Sequence, residues 1–299
     1  MHVHAEAWPA LPLEAWKETR DTLHMWTQIV GKIRLKLAPH VNHWWQVPLY
    51  LTSRGLTTTP IPYGDREFDA TFDFIDHVLV IQTSDGRAER IALRSRPVAE
   101  FYREVMAALH QLAIDVHIWT MPSEVPDPIR FEEDRQHASY DAEYAHRAWR
   151  VLLAADDILK EFRAGFIGKA SPVHFFWGGF DLAVTRFSGR RAPERVGADR
   201  ITREGYSHEL SSCGLWFGSG SLTRPAFYSY AAPEPPGFKE APIRPAAAFY
   251  SAEFSLFLLP YDEVRETSDP RGVVLEFLQS TYEAASTLGK WDRENLERA

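Results

Sequence analysis

The chain has 299 residues, 45% hydrophobic and 25% charged, as is typical of a globular protein with an ample core. Its formal net charge of −8 argues against a general affinity for nucleic-acid phosphates, and its single cysteine, Cys213, excludes an intramolecular disulfide and cysteine-rich metal sites. No apolar run is long enough to cross a bilayer, and no secretory signal is visible. We therefore expect a cytoplasmic protein without nucleic-acid or membrane partners.

The first half of the sequence predicts a helix, several strands and a second helix. Pro12 suits a first helical position, and Gly31 is a typical stop after the apolar positions that follow it. Two segments rich in aromatic and β-branched residues come next, "NHWWQVPLYLTSRGL" and "EFDATFDFIDHVLVIQTSDG", and the second alternates like a half-buried strand. "AERIALRS" reads as a further strand, and Pro97 opens a second helix that reaches Leu112.

An acidic, proline-punctuated connection follows the short strand predicted at "IDVHIWT" and is the best candidate boundary. It divides the chain into an N-terminal half at 1–122, a connection at 123–140 and a C-terminal half at 141–299. The C-terminal half predicts a long helix from about Asp141 to Arg163, aromatic strands, Pro/Gly-rich loops, and a final helix from Pro270 to about Leu288.

The two halves share an order of helix, antiparallel strands and helix, which predicts an α+β fold with helices packed outside the sheets. "HWWQVPLYL" from His43 and "HFFWGGFDL" from His174 each begin with histidine and two aromatic residues. This likeness is consistent with an internal duplication. A cleft between the halves is the expected place for a small ligand.

The segment "PVHFFWGGFDLAVTRFSGR" at 172–190 carries three ionisable residues within an apolar strand pattern. Strict alternation puts His174 and Arg186 on one face and Asp181 on the other, and both faces are apolar enough for a central, covered strand. Buried charges need partners, so these residues either tie strands together or form an acid–base or anion site. The pair Gly178–Gly179 suggests a bulge or a close approach by a ligand or another backbone.

A second cluster lies in "YSHELSSCGLWFG", where His208 and Glu209 are adjacent and therefore face opposite ways in a regular strand. The spacing matches no zinc signature, although His174, His208 and a carboxylate could together hold a metal. Cys213 has no neighbouring base in the sequence, which favours a small buried side chain over a nucleophile. We identify no cofactor.

Other residues of the aromatic segments are candidates for ligand contacts. In the first half, Arg54 could meet an anion, although an exposed arginine beside a turn is the default reading. His2 and His4 read as part of an N-terminal tail. "GFIGK", ending at Lys169, lacks the glycine spacing of a phosphate-binding loop, and no dinucleotide-binding or nucleophile-elbow motif is present. The candidate ligand-binding residues are Arg186, Arg54, His43, Trp45, Trp177, Trp216 and Tyr206.

Several long phrases resemble an uncharacterised bacterial family, a domain of unknown function that fills nearly the whole chain. They include "QIVGKIRLKLAPHVNHWWQVPLYLTSRGLTTTPIP", "SPVHFFWGGFDLAVTRFSGRRAP", "YSHELSSCGLWFG" and "YAAPEPPGF". The resemblance implies a bacterial, cytoplasmic protein built as a single unit. It transfers no mechanism, because no activity is established for that family.

Two functions remain open on this sequence. The first is a small-molecule enzyme of the proton-transfer or hydrolysis type, with His174 or His208 as acid or base, Asp181 or Glu209 as its orienting carboxylate and Arg186 as an anion clamp. The second is a non-catalytic protein that binds an aromatic or anionic small molecule in the same aromatic-walled pocket. A structural module without a concave site is a third reading, and the sequence indicates no oligomeric state.

Overall fold

The structure is a computed structural model that describes residues 8–298. His2 and His4 of the predicted tail lie outside the described residues. The helices are α1 (Leu13–Leu37), α2 (Val98–Gln111), α3 (Ala142–Ala164), α4 (Arg200–Gly205), α5 (Tyr261–Arg265), α6 (Pro270–Leu288) and α7 (Arg293–Leu296). The strands are β1 (Tyr50–Leu51), β2 (Gly55–Thr57), β3 (Ile61–Tyr63), β4 (Arg66–Asp73), β5 (Val78–Thr83), β6 (Ala88–Ala92), β7 (His174–Phe176), β8 (Asp181–Arg191), β9 (His208–Trp216), β10 (Ala226–Ala232), β11 (Phe249–Ser251) and β12 (Leu256–Pro260).

The strands form two antiparallel six-stranded sheets, which confirms the predicted α+β class. The first sheet has the order β1-β2-β4-β5-β6 with β3 paired to β4, and the second has the order β11-β12-β10-β9-β8-β7. Each half thus runs from a long helix through its sheet to a further long helix, although the strand orders differ. The internal duplication stays a prediction.

The two sheets meet edge to edge at one backbone bridge between Leu49 and Phe175. The amide of each residue donates to the carbonyl of the other at 2.9 Å. Leu49 immediately precedes β1, and Phe175 is the middle residue of β7, so the bridge joins an outer strand of one sheet to an outer strand of the other. The hydrophobic core is likewise continuous through both halves.

Helix α3 begins at its predicted place because Asp141 caps it, its carboxylate accepting a hydrogen bond from the amide of Tyr144 at 3.1 Å. Helices α2 and α6 also have the predicted bounds. The strand predicted at 114–120 is wrong: Ile114, Val116 and Ile118 are buried in alternation, but the segment pairs with no sheet. Alternating burial along an extended segment gave a strand-like pattern without strand pairing.

The predicted stop of α1 at Gly31 is also wrong, because the helix continues to Leu37. Gly31 lies against the indole of Trp177, and a Cβ on Gly31 would lie 2.3 Å from that ring. A glycine in a helix interior costs roughly 1 kcal/mol relative to alanine. Here it provides the space that a tryptophan from the other half of the chain occupies.

A row of polar residues runs along one face of α1, although that face is largely covered by protein. Arg20, His24, Gln28 and Lys32 are spaced four apart, so their side chains follow one another along the same side of the helix. Each of them hydrogen-bonds a backbone carbonyl of a loop outside the helix. Buried polar groups need such partners, and we refer to these four residues as the polar row of α1.

The loops held in this way come from three different parts of the chain. Arg20 Nη1 donates to the carbonyl of Gly218 at 3.0 Å, after β9. Gln28 forms two hydrogen bonds with the backbone of Ser123, one to its carbonyl and one from its amide, each of 2.8 Å. Lys32 Nζ donates to the carbonyl of Met121 at 2.8 Å. The polar row therefore fixes the connection between the halves and two loops of the second sheet.

The segment 172–190 is a β-hairpin and not the single central strand that its composition predicted. β7 ends at Phe176, residues 177–180 turn, and β8 begins at Asp181, with His174 paired to Ala183. The turn reverses the chain, so strict alternation across Gly178 and Gly179 fails. His174 and Asp181 consequently share one face of the second sheet, and Arg186 lies on the other.

The two faces of the second sheet have different environments. Helices α3 and α6 pack against one face, where Val184, Leu215 and Phe227 join the main core. Among residues 8–298, no helix packs on the opposite face in the same way, and its residues line a wide cleft. The strand was predicted to be covered on both sides; helices cover one side, and the other faces the cleft.

We expect Gly31→Ala to lower the free energy of unfolding by about 1–3 kcal/mol, because the new methyl group overpacks against Trp177. Chemical denaturation measures this effect, and a changed tryptophan emission would report the displaced indole. Gly205→Ala is the matched control, since a Cβ there meets no atom within 4 Å. Equal stability of the two variants would contradict the proposed contact.

Candidate functional site

The open face of the second sheet forms the floor of a cleft of about 1130 Å³. Its floor residues project from β8, β9 and β10 on the side away from α3 and α6. Its walls come from α1, the segments 43–47 and 123–126, and the loops around α4 and after β9. The floor residues include Asp181, Ala183, Thr185, Phe187, Leu210, Ser212, Trp216, Tyr228 and Tyr230. The cleft therefore combines both halves of the chain.

Three nitrogen donors hold the turn of the β7–β8 hairpin at the rim of the cleft. His24 Nε2 lies 2.7 Å from the carbonyl of Gly178, and Trp216 Nε1 donates to the carbonyl of Gly179 at 3.1 Å. Trp177 Nε1 donates to the carbonyl of Val47 at 2.8 Å. Burial lowers the pKa of His24 to about 4, so the imidazole is neutral at pH 7 and carries its proton on Nε2.

Asp181 places a carboxyl group on the floor of the cleft. Its Oδ2 accepts a hydrogen bond from the hydroxyl of Tyr228 at 2.6 Å. The pKa of Asp181 is raised to about 7, mainly by burial; the Tyr228 hydrogen bond opposes this shift, and the nearby charge of Glu124 adds to it. Near neutral pH this carboxyl can therefore either release or accept a proton.

Glu124 brings a second carboxyl to the same place. A Cβ on Gly179 would lie 2.8 Å from Asp181 Oδ1 and 3.5 Å from Glu124 Oε2, so both groups flank one small space beside the glycine turn. The surrounding protein raises the pKa of Glu124, and the charge of Asp199 adds to this effect. Among residues 8–298, neither Asp181 nor Glu124 forms an ion pair with Lys or Arg.

Six of the eleven predicted site residues line the cleft: His43, Trp45, Trp177, Asp181, Tyr206 and Trp216. The hydroxyl of Tyr206 hydrogen-bonds that of Tyr230 at 3.0 Å, and the two tryptophans of the turn region are fixed by their indole nitrogens. His43 belongs to a 3₁₀ turn at Asn42–Trp44, so its predicted place at the start of a strand is wrong.

His174 shares the sheet face of Asp181 but does not line the cleft. It is 0% exposed, and the rings of Trp45, Tyr50 and Phe176 surround it at centroid distances of 5.4–5.8 Å. Neither ring nitrogen has a hydrogen-bond partner within residues 8–298. Burial lowers the pKa of His174 to about 3, and the charges of Arg34 and Arg163 act in the same direction.

His208 and Glu209 face opposite sides of β9, as the alternation predicts. His208 Nδ1 lies 3.0 Å from the hydroxyl of Ser207, and its ring lies 5.6 Å from that of His43. Glu209 forms a 2.6 Å ion pair with Arg190, which also donates to carbonyls that follow α6. Glu209 therefore ties the edge of the sheet to a helix end and is directed away from His208.

Arg186 and Arg54 lie away from the cleft. Arg186 is 3% exposed on the helix-covered face, where its guanidinium lies 3.5 Å from the ring centroid of Phe162 and 4.3 Å from that of Tyr282. Arg54 pairs with Asp73 at 2.5 Å and with Asp76 at 2.8 Å on the first sheet. The expectation that Arg186 converges with His174 fails because the hairpin turn places them on opposite faces.

Neither Cys213 nor a cluster of metal-ligating side chains in the described part of the chain adds a candidate to this site. Burial raises the pKa of the Cys213 thiol to about 12, and its sulfur lies 3.8 Å from the carbonyl of Val184, on the helix-covered face. In the described part of the chain, no group of three or more His, Cys, Asp and Glu residues could hold a metal ion. Nor is any helix within residues 8–298 both long and apolar enough to cross a membrane.

Substitution His174→Leu should leave the protein folded and at least as stable at pH 7, because it removes two unsatisfied buried nitrogens. The folded-state pKa of about 3 lies below the unfolded value of 6.5, so wild-type stability falls as pH decreases below 6.5. As pH decreases in that window, the free energy of unfolding of His174→Leu should fall by about 1.4 kcal/mol per pH unit less than that of the wild type. Denaturation curves at pH 5 and 7 test this, with exposed His117→Gln as control.

Substitution Asp181→Asn should give the opposite dependence on pH. The folded-state pKa of about 7 lies above the unfolded value of 3.8, so the wild-type protein loses stability as pH rises between these values. Asn accepts the Tyr228 hydrogen bond without ionising. The stability of the variant relative to wild type should therefore increase from pH 4 to pH 7, and the two proteins should have similar stability below pH 4. Urea denaturation between pH 4 and pH 7 measures this difference, with Asp157→Asn as control. If the stabilities of Asp181→Asn and the wild type depended on pH in the same way, the raised pKa of Asp181 would be contradicted.

Comparison with known families gives one match. Residues 8–298 match the model of a family described as a family of unknown function, DUF5996. Neither comparison with curated proteins nor comparison with solved structures finds a significant match. The match confirms the resemblance to an uncharacterised family and covers nearly the whole sequence. The chain therefore belongs to DUF5996, a family of unknown function.

Proposed function

We propose that the protein is an enzyme that acts on a small molecule by proton transfer or hydrolysis, with Asp181 as its general acid or base. The observation that carries the proposal is the Asp181 carboxyl, which has a pKa of about 7 on the floor of an aromatic cleft. General acid–base groups work best when their pKa is near the working pH. His174 is buried and does not line the cleft, and Glu209 is paired with Arg190, so neither of these predicted candidates is available there.

Tyr228 and Glu124 have supporting roles in this proposal. The Tyr228 hydroxyl donates to Oδ2 of Asp181, which leaves Oδ1 directed toward the space that Glu124 flanks. Burial is the main reason that Asp181 keeps its proton up to neutral pH, and the like charge of Glu124 adds to this effect. His208 is not within the shared space and is not assigned a catalytic role.

The lining also indicates the character of the substrate. Aromatic rings of Trp177, Trp216, Phe254 and Tyr230 offer faces for a flat or apolar body. The floor carboxyls disfavour an anionic group beside Asp181, and Arg186 is unavailable to bind one. A neutral or cationic substrate with an aromatic portion therefore fits this end of the cleft best.

The second candidate is a protein that binds such a molecule without converting it. The aromatic rings of Phe187, Trp216 and Tyr230 on the floor favour this alternative, because they offer contact surface to a flat molecule without chemistry. The two functions differ in one measurable respect: an enzyme must exchange or transfer protons of its ligand.

A panel of neutral and cationic aromatic compounds can be screened for thermal stabilisation and then incubated with the protein in D₂O. We expect at least one stabilising compound to show protein-dependent C–H exchange or hydrolysis by proton NMR. Asp181→Asn should reduce that rate about 10²–10⁴-fold, the usual contribution of a general acid or base. Glu124→Gln should retain turnover with a lower apparent pKa, because it removes the charge that raises the pKa of Asp181.

Asp157→Asn is the matched control, since Asp157 is an exposed residue of α3 paired with Arg271. A turnover rate unchanged by Asp181→Asn would refute the role of Asp181. Compounds that bind tightly and never exchange or hydrolyse would support the binding protein.

A further inference from the structure

A lysine amine lies beside two aromatic rings that line the cleft at the end remote from Asp181. The amide of Phe187 donates to the carbonyl of Lys169 at 3.0 Å, which fixes the lysine backbone beside β8. Its Nζ lies 5.4 Å from the ring centroid of Trp45 and 5.1 Å from that of Phe187, and both rings line the cleft. Phe187 is six positions after Asp181 in β8, a separation of about 20 Å in a strand.

The contact between Lys169 and His43 has a defined direction. His43 Nδ1 lies 3.2 Å from the carbonyl of Gly205, so Nδ1 carries the proton and donates it there. The other nitrogen, Nε2, is then an acceptor, and it lies 2.6 Å from Lys169 Nζ. His43 is 7% exposed, so protein contacts on most sides hold the ring in this orientation.

The surroundings of the Lys169 amine favour its neutral form. In the described part of the chain Lys169 pairs with no carboxylate, and burial lowers its pKa. Burial lowers the pKa of the nearby His208, at the start of β9, and the positive charges of Lys169 and Arg191 act in the same direction. Glu204 of α4 accepts hydrogen bonds from the amide of His43 at 3.2 Å and from His40 at 3.0 Å.

The backbone that presents His43 is strained. His43 and Trp44 have φ angles of 59° and 60°, a left-handed conformation that non-glycine residues adopt only at a cost of order 1–3 kcal/mol each. Strain of this kind concentrates at functional sites, where it fixes a side chain in a required position. Here the consecutive left-handed residues direct the imidazole toward Lys169.

From this arrangement we propose that Lys169 is a nucleophilic amine, with His43 as its base, that condenses with the carbonyl group of a small aldehyde or ketone. Trp45 and Phe187 would hold an apolar or aromatic portion of that compound. The inference is independent of the function proposed for Asp181, because it involves other residues at the other end of the cleft.

The condensation balances without an oxidant or reductant. The lone pair of Lys169 Nζ forms a bond to the carbonyl carbon, and His43 Nε2 transfers a proton from nitrogen to the carbonyl oxygen, giving a carbinolamine. The second proton of the amine follows the same route as the hydroxyl group leaves. The products are an imine and one water molecule, and His43 returns to its neutral form.

The test uses benzaldehyde and sodium cyanoborohydride, which reduces an imine to a stable benzylamine that peptide mass spectrometry can locate. At pH 7.5 and low reagent concentration, we expect Lys169 to be benzylated at least about tenfold faster than the surface lysines Lys36, Lys160 and Lys239. A lowered amine pKa and a positioned base, which alone contributes about 10²–10⁴-fold, both act in this direction.

Two variants test the roles of His43 as the base and Lys169 as the amine separately. His43→Gln keeps a side chain able to bond the Gly205 carbonyl but provides no base, and should reduce Lys169 labelling toward that of Lys36. Lys169→Arg should abolish the rapid adduct and leave the other lysines unchanged. Labelling of wild-type Lys169 no faster than that of Lys160 would overturn the proposal, whether or not the variants fold.

Discussion

The hydrogen bonds of the polar row of α1 are the interaction on which the cleft depends. Arg20, His24, Gln28 and Lys32 are largely enclosed by protein, and each needs a partner that water cannot readily supply. The partners are backbone groups of loops that have no regular pairing of their own. These hydrogen bonds therefore have two effects. The polar side chains of α1 keep hydrogen-bond partners when they are buried, and three loops from distant parts of the chain acquire fixed positions around the floor of the second sheet.

The unequal covering of the second sheet explains where chemistry is located in this molecule. On the helix-covered face, Arg186 and Cys213 are packed among apolar side chains and serve the core. On the opposite face, equally apolar surroundings remain accessible, so a carboxyl such as Asp181 is desolvated and yet reachable. This combination shifts its pKa to the range where proton transfer is efficient. The same face continues to Phe187, where a lysine amine meets an imidazole, so one open sheet surface brings together two different reactive groups.

The sequence was informative where local pattern decides structure. Helices α2, α3 and α6 and strands β4 to β6 follow from apolar periodicity and from Pro97, Asp141 and Pro270 at helix starts. The wrong predictions at Gly31 and at Gly178–Gly179 have the same cause. At each position, contacts with residues distant in sequence determine the structural role of the glycine. Trp177 and Asp181 line the cleft because they belong to the hairpin turn and its second strand, and Trp216 does so because it projects from the end of β9. Glu124 was missed, since an acidic loop has no periodicity; the flanking Pro122 and Pro126, which stiffen that loop, were the only available signal.

The bridge between Leu49 and Phe175 has a consequence for the behaviour of the protein at high concentration. Strands β1 and β7 would otherwise each expose a row of unpaired amides and carbonyls, which is the usual template for aggregation between molecules. The bridge pairs the amides and carbonyls of Leu49 and Phe175 within one molecule, so these groups are not available to other copies. The outermost strand of the first sheet, β6, carries Glu89 and Arg90, whose charges discourage intermolecular pairing, and β11 at the far side is too short to offer a long template.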